Sequence, residues 1–345
     1  MFDCSKDVRA FHDQKIVLPQ SEQTAMRRRR DANRDRLRKG LEKNERPLPL
    51  EFVKQGSYAM RTMLQHPSND YDIDDGVYFD KSDLVGPRGA EMTPADAKWM
   101  VRDALDDGSF ATPPAVRRNC VRIFYSAGYH VDMPVYRRVP DGSGFIYELA
   151  SGSEWRRSDA RDVTAWFDGA LEATGQTYLV RRLVRYLKKH ARSRDSWCGR
   201  ILSGFGITAL VVERRHLDTS RDDRAVYETM KAVRDRLNWN LVVSHPVTPG
   251  ETITSGTQDA KATYLRDRLT EALDALAPLF DHDCTRKKAL SCWDKVYNTD
   301  FFSQRGSDET RASSLSAPAV SLAAVAALET ASNAAVLGSS SGRHA

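Results

Sequence analysis

The sequence is poor in cysteine and has no long apolar run. Its 345 residues include five cysteines, none in a C-x-x-C pair, so neither a zinc ribbon nor a disulfide framework is indicated. No stretch approaches the roughly 18 apolar residues of a membrane-spanning helix, and the first residues lack the basic-then-apolar layout of a secretory signal. We therefore expect a cytoplasmic protein with no membrane partner.

Charge of one sign is not in large excess, because the formal net charge is only +5. The basic residues are nevertheless concentrated between residues 27 and 43, where arginines and lysines alternate with acids. Such a segment could bind phosphates, or it could be the solvated face of a helix whose arginines form i,i+4 pairs with Asp31, Asp35 and Glu42. We favour the helix face and expect no stable nucleic-acid partner.

The remaining composition, 41% hydrophobic and 29% charged, is that of an ordinary globular protein. Hydrophobic periodicity and turn residues predict helices over 21–44, 58–64, 177–192 and 260–280, and strands over 72–79, 121–125 and 130–137. The first half therefore mixes strands and helices, whereas helices dominate from residue 160. We predict an α+β protein with an amino-terminal unit at 1–160 and a helical domain at 161–305.

The last forty residues differ in composition from the rest. Residues 306–345 are mostly Ala, Ser and Gly and lack large side chains that could be buried. We predict a disordered tail.

An acidic segment, NDYDIDDGVYF at residues 69–79, leads into a predicted strand. Alternate residues of a strand share a face, so Asp72 and Asp74 project together while Ile73 points to the core. Two such carboxylates repel by roughly 1 to 4 kcal/mol at the dielectric constants of water and of a protein surface. A divalent cation removes that cost, and a set of hard oxygen ligands indicates Mg²⁺ or Mn²⁺. An acidic turn that merely starts a strand remains the alternative.

Two other short motifs could belong to the same site. Gly56 and Ser57 stand fifteen residues before the acidic strand, at the start of a predicted helix, where glycine lets the backbone approach a phosphate and serine can hydrogen-bond it. In YHVDMPV, Asp132 lies opposite an apolar face. It is either an ordinary solvent-facing residue or, if its strand adjoins the first, a third carboxylate of a site for two metal ions.

The series QGSYAMRT, YDIDDGVYF, YHVDMPVYRR, RLVRYLKKH, SGFGITALVVE and WDKVYNTDFF resembles the DNA polymerase β-like nucleotidyltransferases. It is most similar to the bacterial cGAS/DncV-like nucleotidyltransferases (CD-NTases) of CBASS antiphage systems, over about residues 11–302. The resemblance implies a polymerase β-like core, a mixed sheet with flanking helices, packed on a carboxy-terminal helical domain with the active site between them.

The resemblance also implies an activity. Its members use ATP, GTP or other NTPs to make cyclic oligonucleotide second messengers with release of pyrophosphate, in antiphage defence. A purine-containing cyclic dinucleotide is the expected product. The alternatives are a nucleotidyltransferase that gives linear products or AMPylates a target, and a catalytically silent module that binds nucleic acid through residues 27–43.

Roles for individual residues follow from the same resemblance. Two ions, Mg²⁺ or Mn²⁺, would be held by the catalytic residues Asp72, Asp74 and Asp132. The implied nucleotide-binding residues are Gln55, Gly56, Ser57, Arg185, Lys188 and Ser203. Gly204 follows that serine where eukaryotic relatives carry an aromatic residue, so base stacking is not transferred. Some CBASS operons encode an accessory protein that conjugates the carboxy terminus of the synthase, which gives the tail a possible partner.

Overall fold

The computed structural model describes residues 1–65, 72–86, 89–126 and 128–307. The predicted tail therefore lies outside the described residues, except for Gly306 and Ser307, which end a helical segment at 301–307. None of the helices in the described part of the chain combines the length and the apolar character needed to span a bilayer.

Strands are confined to the first half of the described chain, and helices continue to its end. The strands are β1 (Glu51–Gln55), β2 (Asp72–Asp80), β3 (Ala115–Val116), β4 (Val121–Phe124), β5 (His130–Met133), β6 (Val135–Asp141), β7 (Gly144–Ser151) and β8 (Glu154–Arg157). The helices are α1 (Ser5–Phe11), α2 (Gln20–Lys43), α3 (Gly56–Ala59), α4 (Pro94–Leu105), α5 (Ala160–Glu172), α6 (Thr177–Ala191), α7 (Gly204–Arg214), α8 (Asp222–Trp239), α9 (Ala260–Leu276) and α10 (Arg286–Tyr297). The predicted α+β class is confirmed.

The helix predicted over 58–64 is wrong in extent. Helix α3 has only four residues and begins at Gly56. It stops because Arg61 adopts a left-handed conformation, with φ of 55°, and the next two residues leave the helical path. The end of α3 is instead held by contacts from α6, which sequence periodicity does not reveal.

The described strands form one mixed sheet centred on β2. Strands β5 and β6 are consecutive in the chain, and both run parallel to β2 along the same edge. Pro134 separates them, because proline cannot donate a ladder hydrogen bond. Strand β1 pairs antiparallel on the other edge of β2. Strands β4 and β3 continue the sheet beyond β5, and β7 and β8 continue it beyond β6. The acidic strand is therefore central.

Helices α2 and α4 cover one face of this sheet. Leu37 and Leu41 of α2 pack with Val77 and Phe79 of β2 in a fully buried cluster. The helices cross closely at Gly40, where a Cβ atom would lie 1.9 Å from a backbone oxygen of α4. The opposite face of the sheet carries Asp74 and faces the helical half of the protein.

The solvated face that we favoured for the arginines of α2 is only part of the helix: Arg27, Arg28 and Arg38 are exposed, but other arginines contact the sheet side. Arg34 donates to both carboxylate oxygens of the fully buried Asp75 at 2.6 and 2.5 Å. Burial acts to lower the pKa of Arg34, but the hydrogen bonds and charge of Asp75 outweigh it and raise that pKa. Arg29 stacks on the ring of Tyr129 at 3.9 Å. Several basic side chains of α2 thus hold the helix to the sheet.

The amino-terminal residues pack with the helical half. Phe11 lies among the rings of Tyr297, Phe301 and Phe302, with centroids 4.8 to 5.3 Å away. The buried Asp7 accepts hydrogen bonds from Arg286 and Arg305. The segment predicted as one amino-terminal unit, 1–160, is thus divided between two cores.

Candidate active site

Two predicted carboxylates are brought together by strand pairing. Asp74 of β2 lies directly opposite Asp132 of the parallel strand β5. Asp132 is 6% exposed and Asp74 is half-buried. Asp72 begins β2 opposite His130, and only its backbone position is described. The condition set by the sequence, that the two strands adjoin, is met.

The Gly56–Ser57 turn abuts the same carboxylate. Gln55 pairs with Asp74 at the end of β1, and the chain then turns into α3 at Gly56, whose φ is +64°. A Cβ atom at Gly56 would lie 2.1 Å from Oδ2 of Asp74. Only glycine combines this backbone conformation with so close an approach. The turn and the acidic strand therefore form one structural unit.

Gly56→Ala is expected to lower activity by on the order of 10²-fold, because a misplaced catalytic group costs about that much. The new methyl group must displace the Asp74 carboxylate. Gly142→Ala is the matched control, since Gly142 also has positive φ, +59°, but no atom within 4 Å of its Cβ position. Equal activity losses in the two variants would contradict this explanation; kcat at saturating NTP is the measurement.

Gln55 contributes an amide with unused donor capacity. Its side chain is 7% exposed, and its Oε1 accepts a hydrogen bond from the Tyr136 hydroxyl at 2.9 Å. Burial, and then the charge of Asp74, raise the pKa of Tyr136, so this hydroxyl remains a donor at neutral pH. Within the described residues, Nε2 of Gln55 has no hydrogen-bond partner. A ligand beside Asp74 could accept from it.

Arg185 and Lys188 reach the end of α3. Arg185 donates to the carbonyl of Arg61, and Lys188 donates to the hydroxyl of Thr62 at 3.2 Å. Arg181, one turn earlier on α6, donates to the carbonyl of Met60 at 3.2 Å. The two residues share a face of α6, as predicted, and this face binds the chain at Arg61 and Thr62, just after α3.

Arg185 remains positively charged at neutral pH although it is largely buried. Burial, with Arg181 and Arg182 nearby, lowers its pKa to about 10, so the guanidinium is still protonated at neutral pH. Arg185 also lines a cleft of about 790 Å³ between α2, β1, α3, α5 and α6. The other basic residues of that cleft are Arg27, Lys54, Arg61 and Arg161. The surroundings of the turn are strongly cationic.

Ser203 is placed at the start of α7, close to Lys188. It is exposed and caps the helix, with its hydroxyl accepting from the backbone N–H of Gly206 at 3.2 Å. The Lys188 side chain passes 3.1 Å from the Cβ position of Gly204. Ser203 therefore belongs to the same region as Lys188. The nearby Phe205 ring packs on His245, with centroids 5.4 Å apart.

Arg122 is a member of the site that the motifs did not indicate. Its guanidinium donates to both oxygens of Asp132, each at 2.7 Å. The two residues are direct partners in the antiparallel pairing of β4 with β5. The sequence offered a clue, because residues 122 and 132 each lie five positions from residue 127 in the predicted turn. The thiol of Cys120 lies close by, and burial followed by the charge of Asp132 raises its pKa.

The donors of the site suit a hard divalent cation. Asp74 and Asp132 supply only oxygen, as Mg²⁺ and Mn²⁺ require. Considering the side chains that the structure describes, which omit that of Asp72, no three acidic, cysteine or histidine residues converge on one point. The Asp74 carboxylate lies directly against the Gly56 turn, where the absence of a side chain leaves room for it. The residues present are therefore compatible with the expected metal.

The comparison of sequences supports the same region. Residues 50–136 match the family model described as "Cyclic GMP-AMP synthase DncV-like, nucleotidyltransferase domain". A curated relative, the cyclic GMP-AMP synthase of Escherichia albertii, is 27% identical over 229 residues, which cover 64% of this chain and 49% of the relative. The match thus spans about half the length of that relative. The resemblance inferred from the motifs is confirmed.

Solved structures share the fold over most of the chain. The cyclic AMP-GMP synthase DncV of Vibrio cholerae superposes with a TM-score of 0.70 at 16% identity, over 86% of this chain and 96% of that chain. Escherichia coli CdnC with ATP gives a TM-score of 0.66 at 17% identity, over 86% and 98%. At these identities the likeness shows the fold. It confirms the predicted fold class, a mixed sheet with flanking helices packed on a helical domain.

Proposed function

We propose that this chain, whose residues 50–136 form a DncV-like nucleotidyltransferase domain, is a metal-dependent synthase of a cyclic oligonucleotide. Its substrates are NTPs, ATP or GTP or both, and its product is a purine-containing cyclic dinucleotide, released with pyrophosphate. The product acts as a second messenger in cytoplasmic antiphage defence. The likeness to a cyclic GMP-AMP synthase supports the choice of product class.

One observation carries the proposal. Asp74 and Asp132 stand opposite each other on parallel strands, and the Gly56 turn presses against Asp74 so closely that only glycine fits. Two acids in register on neighbouring strands repel each other and destabilise a sheet. The contact of Arg122 with Asp132 does not account for the close approach of Gly56 to Asp74. A site for a cation and a triphosphate explains both features.

The roles proposed for the residues are those that the family resemblance implies. Asp72 and Asp74 would hold both metal ions, and Asp132 would hold the one at the acceptor hydroxyl. When bound, Mg²⁺ or Mn²⁺ lowers the pKa of that hydroxyl and neutralises charge on the leaving pyrophosphate. The unused amide of Gln55 and the hydroxyl of Ser57 bind the donor triphosphate.

The helical half completes the site. Arg185 and Lys188 keep the Gly56–Ser57 turn in place through the end of α3, and Ser203 adds a hydroxyl beside Lys188. Cyclisation needs a second transfer within the same cleft, and holding both ends of the linear intermediate there raises their effective concentration. The tail, 306–345, would be the segment on which a CBASS accessory protein acts.

The test is an incubation of the full chain with all four NTPs, each labelled in turn at the α-phosphate, with Mg²⁺ or Mn²⁺. A product that resists phosphatase and disappears on chelation with EDTA is expected. Only phosphatase-sensitive products would assign the protein to the linear nucleotidyltransferases. Label on a protein target would assign it to AMPylation, and salt-sensitive nucleic-acid binding without turnover would contradict an enzymatic role.

A further inference from the structure

The bidentate contact between Arg122 and Asp132 occupies both oxygens of a carboxylate proposed to bind metal. The Asp132 side chain is 8% exposed and that of Arg122 is 30% exposed, so the carboxylate is buried while part of the guanidinium reaches solvent. Charge-assisted forks of this kind are among the strongest hydrogen bonds in proteins. The guanidinium of Arg122 thus orients the Asp132 carboxylate and compensates its negative charge.

The pairing places this positive charge next to the centre of the site. Asp132 has Arg122 as its partner on one side and Asp74 as its partner on the other. A cation that approaches the two carboxylates must therefore meet a fixed guanidinium, which weakens its attraction. The triphosphate of a nucleotide reverses the balance, because it brings additional negative charge and oxygen ligands.

We propose that Arg122 is a positioning residue. It orients the Asp132 carboxylate and suppresses the binding of a divalent cation there until a nucleotide enters. The cation is then taken up together with the NTP, not ahead of it. This inference rests on the proposed function for the identity of the nucleotide. Its central claim, that Arg122 competes with a divalent cation at Asp132, can be measured on the protein alone.

The sheet offers a matched control. Arg138 of β6 donates to Oδ2 of Asp80 at 3.2 and 2.6 Å, a cross-strand contact between the same residue types. The Arg138 side chain is also 30% exposed. This pair lies at the far end of β2 from Asp74, on residues with no role in the site. Loss of an arginine from the sheet can therefore be separated from loss of Arg122.

The experiment titrates Mn²⁺ into the full chain without nucleotide and follows free Mn²⁺ by electron paramagnetic resonance. Arg122→Gln is expected to bind Mn²⁺ about tenfold or more tightly than wild type, because a nearby positive charge is removed. Its product formation is expected to fall about tenfold, because Asp132 loses its orientation. Arg138→Gln should match wild type in both measurements. An increase in cation affinity with a loss of turnover is the signature of the proposal.

Arg122→Gln with unchanged or weaker Mn²⁺ affinity, at a thermal stability like that of Arg138→Gln, would overturn the proposal. If Arg122→Gln does not fold, Arg122→Lys is the variant that tests the proposal. Lysine retains the positive charge but cannot make the bidentate contact with Asp132. Wild-type Mn²⁺ affinity with reduced turnover is then expected, and full turnover would refute the positioning role. Absence of any cyclic product from wild type would remove the proposed function, while the Mn²⁺ titration would still test Arg122.

Discussion

Replacement of Asp74 by asparagine is expected to slow nucleotidyl transfer by on the order of 10³-fold or more, since it removes several kcal/mol of transition-state stabilisation. The substitution keeps the side-chain shape and deletes the charge. One of two in-register carboxylates is lost, and with it the ligand that a hard cation requires. Relief of the repulsion between Asp74 and Asp132 should keep the unfolding temperature close to that of wild type. Single-turnover rates at saturating NTP and Mn²⁺ provide the measurement.

Asp80→Asn serves as the control for this prediction. Asp80 lies on the same strand and in phase with Asp74, but its partner is Arg138 and it is distant from the Gly56 turn. Its substitution should leave the rate as in wild type. A normal rate in Asp74→Asn, or an equal loss in both variants, would remove Asp74 from the proposed catalytic residues.

Substitution of Arg34 by methionine is expected to destabilise the fold by about 3–5 kcal/mol, the cost of leaving one member of a buried ion pair alone. Asp75 is completely buried, and both its oxygens accept from Arg34. Methionine retains most of the apolar part of the arginine side chain, so the loss reports the unpaired carboxylate. Denaturant unfolding followed by circular dichroism measures the change in the free energy of unfolding.

Arg38→Met is matched to this variant within the same helix. The guanidinium groups of Arg38 and Arg34 lie 4.8 and 5.1 Å from the Phe52 ring, so both variants lose a similar stacking contact. Among the described residues, the ion pair of Arg38 is with the exposed Asp35, at 3.9 Å, and its loss should cost about 1 kcal/mol or less. Adding Asp75→Ala to Arg34→Met should restore part of the stability. Equal effects of the two single variants would contradict a stabilising role for the buried pair.

The strand phase made the carboxylate pair predictable. Alternation of side chains determines that Ile73 faces the core and Asp74 the opposite side, whatever the rest of the protein does. The same rule separates Asp132 from Val131 and Met133. The alternation of side chains does not predict which strands are neighbours in the sheet, because parallel pairing joins segments about sixty residues apart in the chain. The family resemblance supplied that step.

The sequence did not predict the contacts of Arg185, Lys188 and Arg122, for a related reason. Helical spacing showed that the first two share a face, but only packing shows that this face meets the end of α3. The contact of Arg122 depends on the register of a hairpin. Charge patterning also misled the interpretation of α2, since a solvated arginine and one paired with the buried Asp75 look alike in a sequence.

The position of α1 has a consequence for synthesis on the ribosome. Asp7 receives its hydrogen bonds from Arg286 and Arg305, residues 279 and 298 positions later. At about 5–20 residues per second, these partners are made roughly 15–60 s after Asp7. The sheet and its covering helices can form during that interval, whereas α1 must wait for the end of the helical half. Maturation of the nascent chain therefore ends with the docking of its first helix.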